Sequence, residues 1–498
     1  MADHIVLGID LGTQGLKVVA VRADDASIIG AAAASVPSLT PAPGWLEQQP
    51  EAWWRILCGL MRKLLREPGI SPESVLGIGL SGHMHSVVPL RADGSLAHNC
   101  IVWADTRSQP QASSLAAKLQ ERLWNPAIAP YSLAKLLWLR EHQPAVYDET
   151  AVALFPKDYL RWRMAGAIAS DYSDASASLM WDFAARHWDE KLLADLNIRA
   201  DLLPPVAASC APCGALTPRA AAELGLLPGT IVAYGGGDAA CAVVGAGIPD
   251  DATLLINAGT AVQVIQLIAK PTPFAAERAI RYLFELGVDA RCFVIGALNS
   301  AGHSLDWWRR LLDPAQSHAD LETLAAKAPG GADAPIFLPW LQGTGTPFLL
   351  DGPYGSFAQL SATADKPALT RAIYDGVAMG IRLCAEALVG EKALATKRLL
   401  FTGGLPKSPL MRQILADVFG REIRCRSFSD MSALGAAAHA AVAAGSAENA
   451  QSWLADFDYG EISQLASDTR AEPYRSAYDR YKLWAARITA NADGQVSS

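Results

Sequence analysis

One short pattern occurs twice in this chain, and it constrains the fold more than any other feature. "HIVLGIDLGTQGLKVVAV" near the start is two apolar runs joined by a glycine turn, and "ATLLINAGTAVQVIQL" near the middle has the same form. Aligning Gly12 and Thr13 with Gly259 and Thr260 also aligns the apolar residues ahead of them and sets Asn257 opposite Asp10. Each copy predicts a β-hairpin. A hairpin that opens two halves of roughly 250 residues each predicts two similar α/β domains flanking a central cleft, where ligands favour binding. Glycine in such a turn permits close approach, while successive backbone N–H groups and a Thr hydroxyl can hold phosphate oxygens. One copy alone reads as an ordinary tight hairpin; two predict a phosphate clamp.

The stretches between and after the hairpins fit the same class. "PEAWWRILCGLMRKLLRE" and "SLAKLLWLREH" read as helices, and "VLGIGLSG" reads as a strand. In the second half "NSAGHSLDWWRRLL" and "KPALTRAIYDGVAMGIRLCAEALVG" are helical. "RLLFTGGLPKSPLMRQILADVFG" is a strand, a glycine turn and a helix whose Leu410, Met411, Ile414, Leu415 and Val418 share a face until Gly420 ends it. "GAGIPDD" breaks the pattern, so the expected domains are 1–248 and 249–498, the second ending in a charged aromatic helical extension. The tryptophan pairs at 53 and 54 and at 307 and 308 read as core.

Hydrophobic residues at 51% and charged ones at 18% describe a well-buried globular chain. Its net charge is −8, and no Lys/Arg block is present, which points to a small-molecule partner rather than nucleic acid. "MADHIVLGID" lacks the basic start and apolar core of a secretory signal, and no apolar run reaches the roughly 18 residues needed to span a bilayer. The expectation is a cytoplasmic protein with no membrane partner. Of eight cysteines only Cys210 and Cys213 form a C-x-x-C, without a second pair at zinc-like spacing, and they read as reduced loop thiols.

"IVAYGGGDAACAVVGAG" opens a different possibility, because Gly235, Gly237 and Ala240 satisfy the spacing of a dinucleotide-binding turn. An NAD-dependent oxidoreductase is therefore a competing reading. Asp238, however, would set a carboxylate where helix N–H groups should receive a phosphate. The acid expected about 20 residues on is also missing: that position is Leu255, and Asp250 and Asp251 come too early. Walker A, H-R-D and D-F-G strings are absent.

Taken in order, "DLGTQGLK", "SGHMHSVV", "WADTR", "FPKDYLRWRMAGAIASDYSDAS", "GGGD", "INAGT" and "TGGLPKSPLMRQILADVFG" resemble the carbohydrate kinases of the glycerokinase/xylulokinase (FGGY) group. That group lies within the actin and hexokinase superfamily, whose domains are ribonuclease H-like. The resemblance runs from about residue 4 to about residue 445 and is closest to xylulokinases. It implies ATP with Mg²⁺ as cofactors, with Asp10 acting on the metal and Gly12, Thr13 and Lys17 at the phosphates. Gly259 and Thr260 would form the other side of the clamp, and Gly403, Gly404 and Ser408 would lie at the nucleotide. Met84 and His85 match the xylulokinase M-H and are implied at the sugar, where glycerol kinases have an Arg-Glu pair. Asp105, in "WADTR", is implied near the sugar or is one half of an ion pair with Arg107.

The same resemblance makes Asp238 the general base that takes the proton of the attacking hydroxyl, a role that a carboxylate within hydrogen-bond reach can fill. The blander alternatives are an ordinary helix-start acid for Asp238 and a hydrogen-bonded core histidine for His85. The implied reaction is phosphorylation of the terminal hydroxyl of a ketopentose, D-xylulose first, with ribulose, sedoheptulose or a glycerol-like polyol as alternatives. A homodimer is compatible with the group. Several positions depart from the xylulokinase pattern: Ala239 stands for Asn or Gln, His83 for Gln, Leu405 for a third glycine, and "GTGTP" (343–347) for G-E-R-x-P. These weaken the sugar assignment and leave open a catalytically weak ATP-binding regulatory protein on the same fold.

Overall fold

The computed structural model describes residues 4–248, 250–274, 280–332, 334–350 and 352–496. Its two large sheets have seven strands each. The first contains β1 (Ile5–Leu11), β2 (Gly15–Arg22), β3 (Ile28–Ser35), β4 (Val75–Gly82), β5 (Pro212–Ala215), β6 (Ile231–Ala233) and β7 (Gly236–Gly237), in the order β5-β6-β4-β1-β2-β3 with β7 also on β4. The second contains β8 (Thr253–Ala258), β9 (Val262–Ile268), β10 (Tyr282–Glu285), β11 (Cys292–Leu298), β12 (Arg398–Gly403), β13 (Ile423–Arg426) and β14 (Glu461–Gln464), ordered β10-β11-β9-β8-β12-β13-β14.

The repeat extends beyond the hairpins. From β3 through β2, β1, β4 and β6 to β5 the pairings run antiparallel, antiparallel, parallel, parallel, antiparallel. From β11 through β9, β8, β12 and β13 to β14 they run the same way. The ladder pairs Asp10 with Lys17 in one hairpin and Asn257 with Gln263 in the other. These are two similar domains of the actin and hexokinase type.

Strand periodicity decides what each sheet covers. Ile5, Leu7 and Ile9 of β1 point to one face, where Trp53, Leu57, Met61 and Leu64 of α1 (Pro50–Leu64) pack on them. Those helix positions recur three and four apart, Pro50 opens the helix, and Arg62 and Lys63 favour its C-terminus. Leu254, Ile256 and Val264 of the second sheet are covered in the same way by α3 (Lys366–Val389) and α4 (Pro409–Phe419). Tyr474, Tyr478 and Tyr481 of the long terminal helix α6 (Asp468–Val496) join this core, and the Tyr474 hydroxyl donates to Asp375 at 2.7 Å. Each such fully buried aromatic or aliphatic side chain contributes ~1.5–3 kcal/mol.

A third core runs between the sheets, from Val6, Val19 and Val21 through helices α2 (Asp238–Gly245) and α5 (Met431–Ala443) to Leu255, Ile265 and Leu400. Helix α5 comes late in the chain yet lies on β1 and β4 of the first sheet. Glycine makes this contact possible. A Cβ at Gly8 would sit 2.0 Å from the Ala433 carbonyl oxygen, and one at Gly79 would sit 1.7 Å from that of Ala436. The two helices also touch backbone to backbone, Gly435 against Cys241 and Gly245 against Met431. Among the described residues no helix is long and apolar enough to cross a membrane.

Candidate active site

The parallel strands β1, β4 and β7 end together, which brings Asp10 beside Ser81 and Gly237 beside Gly82. The Ser81 hydroxyl donates to Asp10 Oδ1 at 2.7 Å. Burial raises the Asp10 carboxyl above its ordinary value, with Ser81 and Lys17 pulling it back down and Asp430 adding to the rise. Asp238 is the first residue of α2, and its Oδ1 accepts from the Ala239 N–H at 2.8 Å. Burial, then the neighbouring charge of Asp10, push its carboxyl up to about 7. A half-buried acid at a helix start would normally move down, so the environment outweighs the helix dipole here.

The turn that presents Asp238 is held from behind. Lys157 lies fully buried among Asp158 (2.5 Å), Asp171 (2.9 Å) and Asp174 (3.0 Å). Asp171 accepts from the Ser173 hydroxyl at 2.5 Å, and the same oxygen of Ser173 accepts from Gly237 N–H at 2.8 Å. Buried Met84 fills the other side, its sulfur 3.0 Å from where a Gly237 Cβ would stand. This arrangement rules out the dinucleotide reading of "GGGD": Gly236 and Gly237 are paired as a strand on β4, and the first residue of the helix is itself the acid.

His85 has a positive φ of 68°, and its Nδ1 lies 2.6 Å from the Ala177 carbonyl oxygen, so the proton sits on Nδ1. Burial holds its pKa down at about 4, and the ring is neutral at pH 7. Tyr131 packs against it edge-on at 4.7 Å, and Phe284 tilts over it at 5.7 Å. Phe284 belongs to β10 of the second sheet, docked onto the first half by buried Asn125, which bonds both the N–H and the C=O of Leu283. His83 is buried beside Trp53 and bonds Ser86 at 2.8 Å.

Asp105 is committed elsewhere. Its carboxylate accepts from Leu46 N–H at 2.5 Å and from Arg107 Nη2 at 2.7 Å, and Arg107 also reaches Glu47 at 2.9 Å while lying over Trp45. Both members of this pair are buried.

At the first glycine turn the Trp103 indole N–H donates to the Thr13 hydroxyl at 2.7 Å, and the Lys17 ammonium is bonded to Asp430. In the second half Ala258 pairs with Gly403, and Gly404 N–H donates to the Ala258 carbonyl at 2.8 Å. Gly259, Thr260, Gly403 and Gly404 thus share one sheet end. Open space lies over both Gly259 and Gly404, where an added Cβ would have no neighbour within 4 Å. Ser408 caps α4 by accepting from Met411 N–H at 3.1 Å.

Several residues of this region escape a sequence reading. Ser81 and Ser173 are small polar residues inside apolar or acidic strings, and Phe284 and Asn125 come from segments with no motif. Asp430 offers a signal only in hindsight, as an acid directly ahead of an Ala-rich helix.

Residues 5–245 match the model of the N-terminal domain of the FGGY family of carbohydrate kinases, and residues 254–444 match that of its C-terminal domain. A xylulose kinase of Bacillus subtilis is 30% identical over 484 residues, 96% of either chain. The crystal structure of a xylulose kinase from Rhodospirillum rubrum superposes with a TM-score of 0.86 at 26% identity, covering 98% of this chain and all of that one. A gluconate kinase from Lactobacillus acidophilus reaches 0.88 at 23% identity, covering 99% of each, which shows the shared fold alone. With both domain models matched along most of its length, the chain belongs to the FGGY family of carbohydrate kinases.

Proposed function

We propose that this kinase phosphorylates the terminal hydroxyl of a ketopentose, converting D-xylulose to D-xylulose 5-phosphate, in the chain's 1–248 and 249–498 halves acting together. The coarser activity is that of its family: phosphoryl transfer to an alcohol group of a small sugar, with ATP and Mg²⁺. ATP bound with Mg²⁺ supplies the γ-phosphoryl group. The residues present suit such a partner. Among the described residues no group of three His, Cys, Asp or Glu side chains is arranged to hold a metal ion, the three acids around Lys157 being occupied by its ammonium, and Asp10 offers a carboxylate suited to a Mg²⁺ that arrives carrying phosphate and water.

The observation that carries the reading is the carboxyl of Asp238, pushed up to about 7 beside Asp10 and against Met84. A base poised near the working pH can take the hydroxyl proton as the bond to phosphorus forms. Most of the rate must come from alignment and from spreading charge over fixed donors. In this reading Lys17, Gly12 and Thr13 hold phosphate from one side and Gly259 and Thr260 from the other, with Gly403, Gly404 and Ser408 along the nucleotide. Met84 and neutral His85 line the sugar. Asp105 serves it indirectly, by fixing through Arg107 the segment that carries Trp103. The xylulose kinase relatives support a ketose; Ala239 and the uncharged 343–347 segment favour a test over several sugars. The site would work in the cytoplasm, in a monomer or a homodimer alike.

The test is a coupled ADP-release screen over ketoses, gluconate and polyols, repeated with Asp238→Ala. Sugar-stimulated release greatest with D-xylulose and lost in the variant is expected. Release that survives the substitution near the wild-type rate would remove Asp238 as the base, and a stronger response to another sugar would replace D-xylulose.

A further inference from the structure

We propose that Asp430 is a positioning residue of the phosphate site, fixing the Lys17 ammonium so that its remaining N–H donors face the nucleotide. The inference rests on the reading of Lys17 as a phosphate contact given above.

Asp430 stands immediately ahead of α5, where an acid ordinarily caps the helix by accepting from its first N–H groups. It does not do so: no side-chain cap bond is made. Its carboxylate instead bonds Lys17, 413 residues away in sequence, on the first hairpin. Two residues on, the Ser432 hydroxyl donates to the backbone carbonyl of Asp238 at 3.0 Å. The head of one helix from the second half therefore touches both of the first half's reactive elements, the lysine strand and the turn of the base.

The backbone below makes Asp430 a fixed anchor. Helix α5 is seated on β1 and β4 at Gly8 and Gly79, too close for any side chain to intervene, and on α2 at Gly245 and Gly435. Asp430 consequently belongs to the same rigid layer as β2, which carries Lys17. A free lysine holds four rotatable bonds in solution, and ordering it on a ligand opposes binding. Tethered by one carboxylate, the ammonium keeps two further donors in a set place. The pair is about one-third exposed, which leaves the ammonium reachable. Asp10 faces Lys17 across the β1–β2 ladder, so the lysine that Asp430 holds stands next to it.

The experiment measures binding of Mg²⁺ with a non-hydrolysable ATP analogue by calorimetry, without sugar, for wild type, Asp430→Asn, Lys17→Met and the double variant, with melting temperature alongside. Asp430→Asn should weaken binding about fivefold, leave the melting temperature within a degree or two, and add no further weakening in the Lys17→Met background. Asp430→Glu should restore most of the loss. Equal weakening with and without Lys17 would overturn the proposal, since Asp430 would then act without the lysine. Wild-type or tighter binding by Asp430→Asn would also overturn it. Undiminished binding by Lys17→Met alone would instead refute the assignment of Lys17 to the phosphates.

Discussion

Replacing Asp238 by Asn should make the free protein more stable and less active, and the stability gain should depend on pH. In the fold the carboxyl is displaced from its ordinary 3.8 to about 7 by burial and by Asp10. At ~1.4 kcal/mol per pH unit, ionising it in place is disfavoured by ~4 kcal/mol as an upper limit. The native state binds this proton more tightly than the unfolded chain does, so the stabilising contribution is complete below pH 3.8 and is lost as pH rises toward 7. Asn keeps the shape and cannot ionise. The stability difference between variant and wild type should therefore widen by ~2–3 kcal/mol between pH 5 and pH 8 and stay level above that. Urea denaturation at pH 5, 6, 7 and 8, without nucleotide or divalent metal, reads it directly. Sugar-dependent ADP release by the same variant should fall by about 10²–10⁴. A constant difference across the four pH values, or a wild type that gains on the variant as pH rises, would refute the description of this carboxyl as one raised by burial and by Asp10.

Other substitutions test other links. Lys157→Met leaves buried Asp171 and Asp174 without their cation, while Asp158 keeps Arg161, and should cost ~3–5 kcal/mol in denaturant titration, with activity falling as the Gly237 turn loosens. Gly79→Ala drives a methyl group into the Ala436 carbonyl and should lower stability by at least ~1–3 kcal/mol, seen as an earlier thermal transition. Asp105→Asn removes one of the two buried carboxylates on Arg107 and leaves Glu47, so it should appear as lost stability of ~1–3 kcal/mol with little change in the KM for sugar; a large KM change at unaltered stability would make Asp105 a direct sugar contact. Ala239→Asn adds an amide beside the base and should lower the KM for D-xylulose, measured in the ADP-release assay.

Much of the architecture could be read before any coordinates, because the repeated hairpin is a local pattern with a global meaning. The helices at 50–64 and 409–419 follow from periodicity and a Pro start, with Gly420 stopping the second, and the strand at 75–82 from its short apolar run, all short-range effects. Asp10, Gly12 and Asp238 lie at strand ends and turns whose residue choice is itself unusual, which is why they stood out. Helix α5 did not. Its Ala-rich string has no polar face to give it a phase, and its partner strands lie more than 300 residues earlier, so neither its position nor the use of Asp430 could be inferred locally. The contacts of Phe284 and Asn125 across the two halves were hidden for the same reason, and the commitment of Asp105 to Arg107 depended on which way one side chain turns.

The late arrival of α5 has a price during synthesis. β4 ends at residue 82, but the helix that covers it begins at residue 431, and at about 5–20 residues per second the ribosome needs roughly 20–70 s to bridge that interval. Throughout that time the even-numbered side of β1, with Val6 and Gly8, has no native cover. The amino-terminal domain of this kinase therefore cannot complete itself as it emerges, and a truncated gene product ending near residue 248 should collect in aggregates or on chaperones rather than persist as a free half-enzyme.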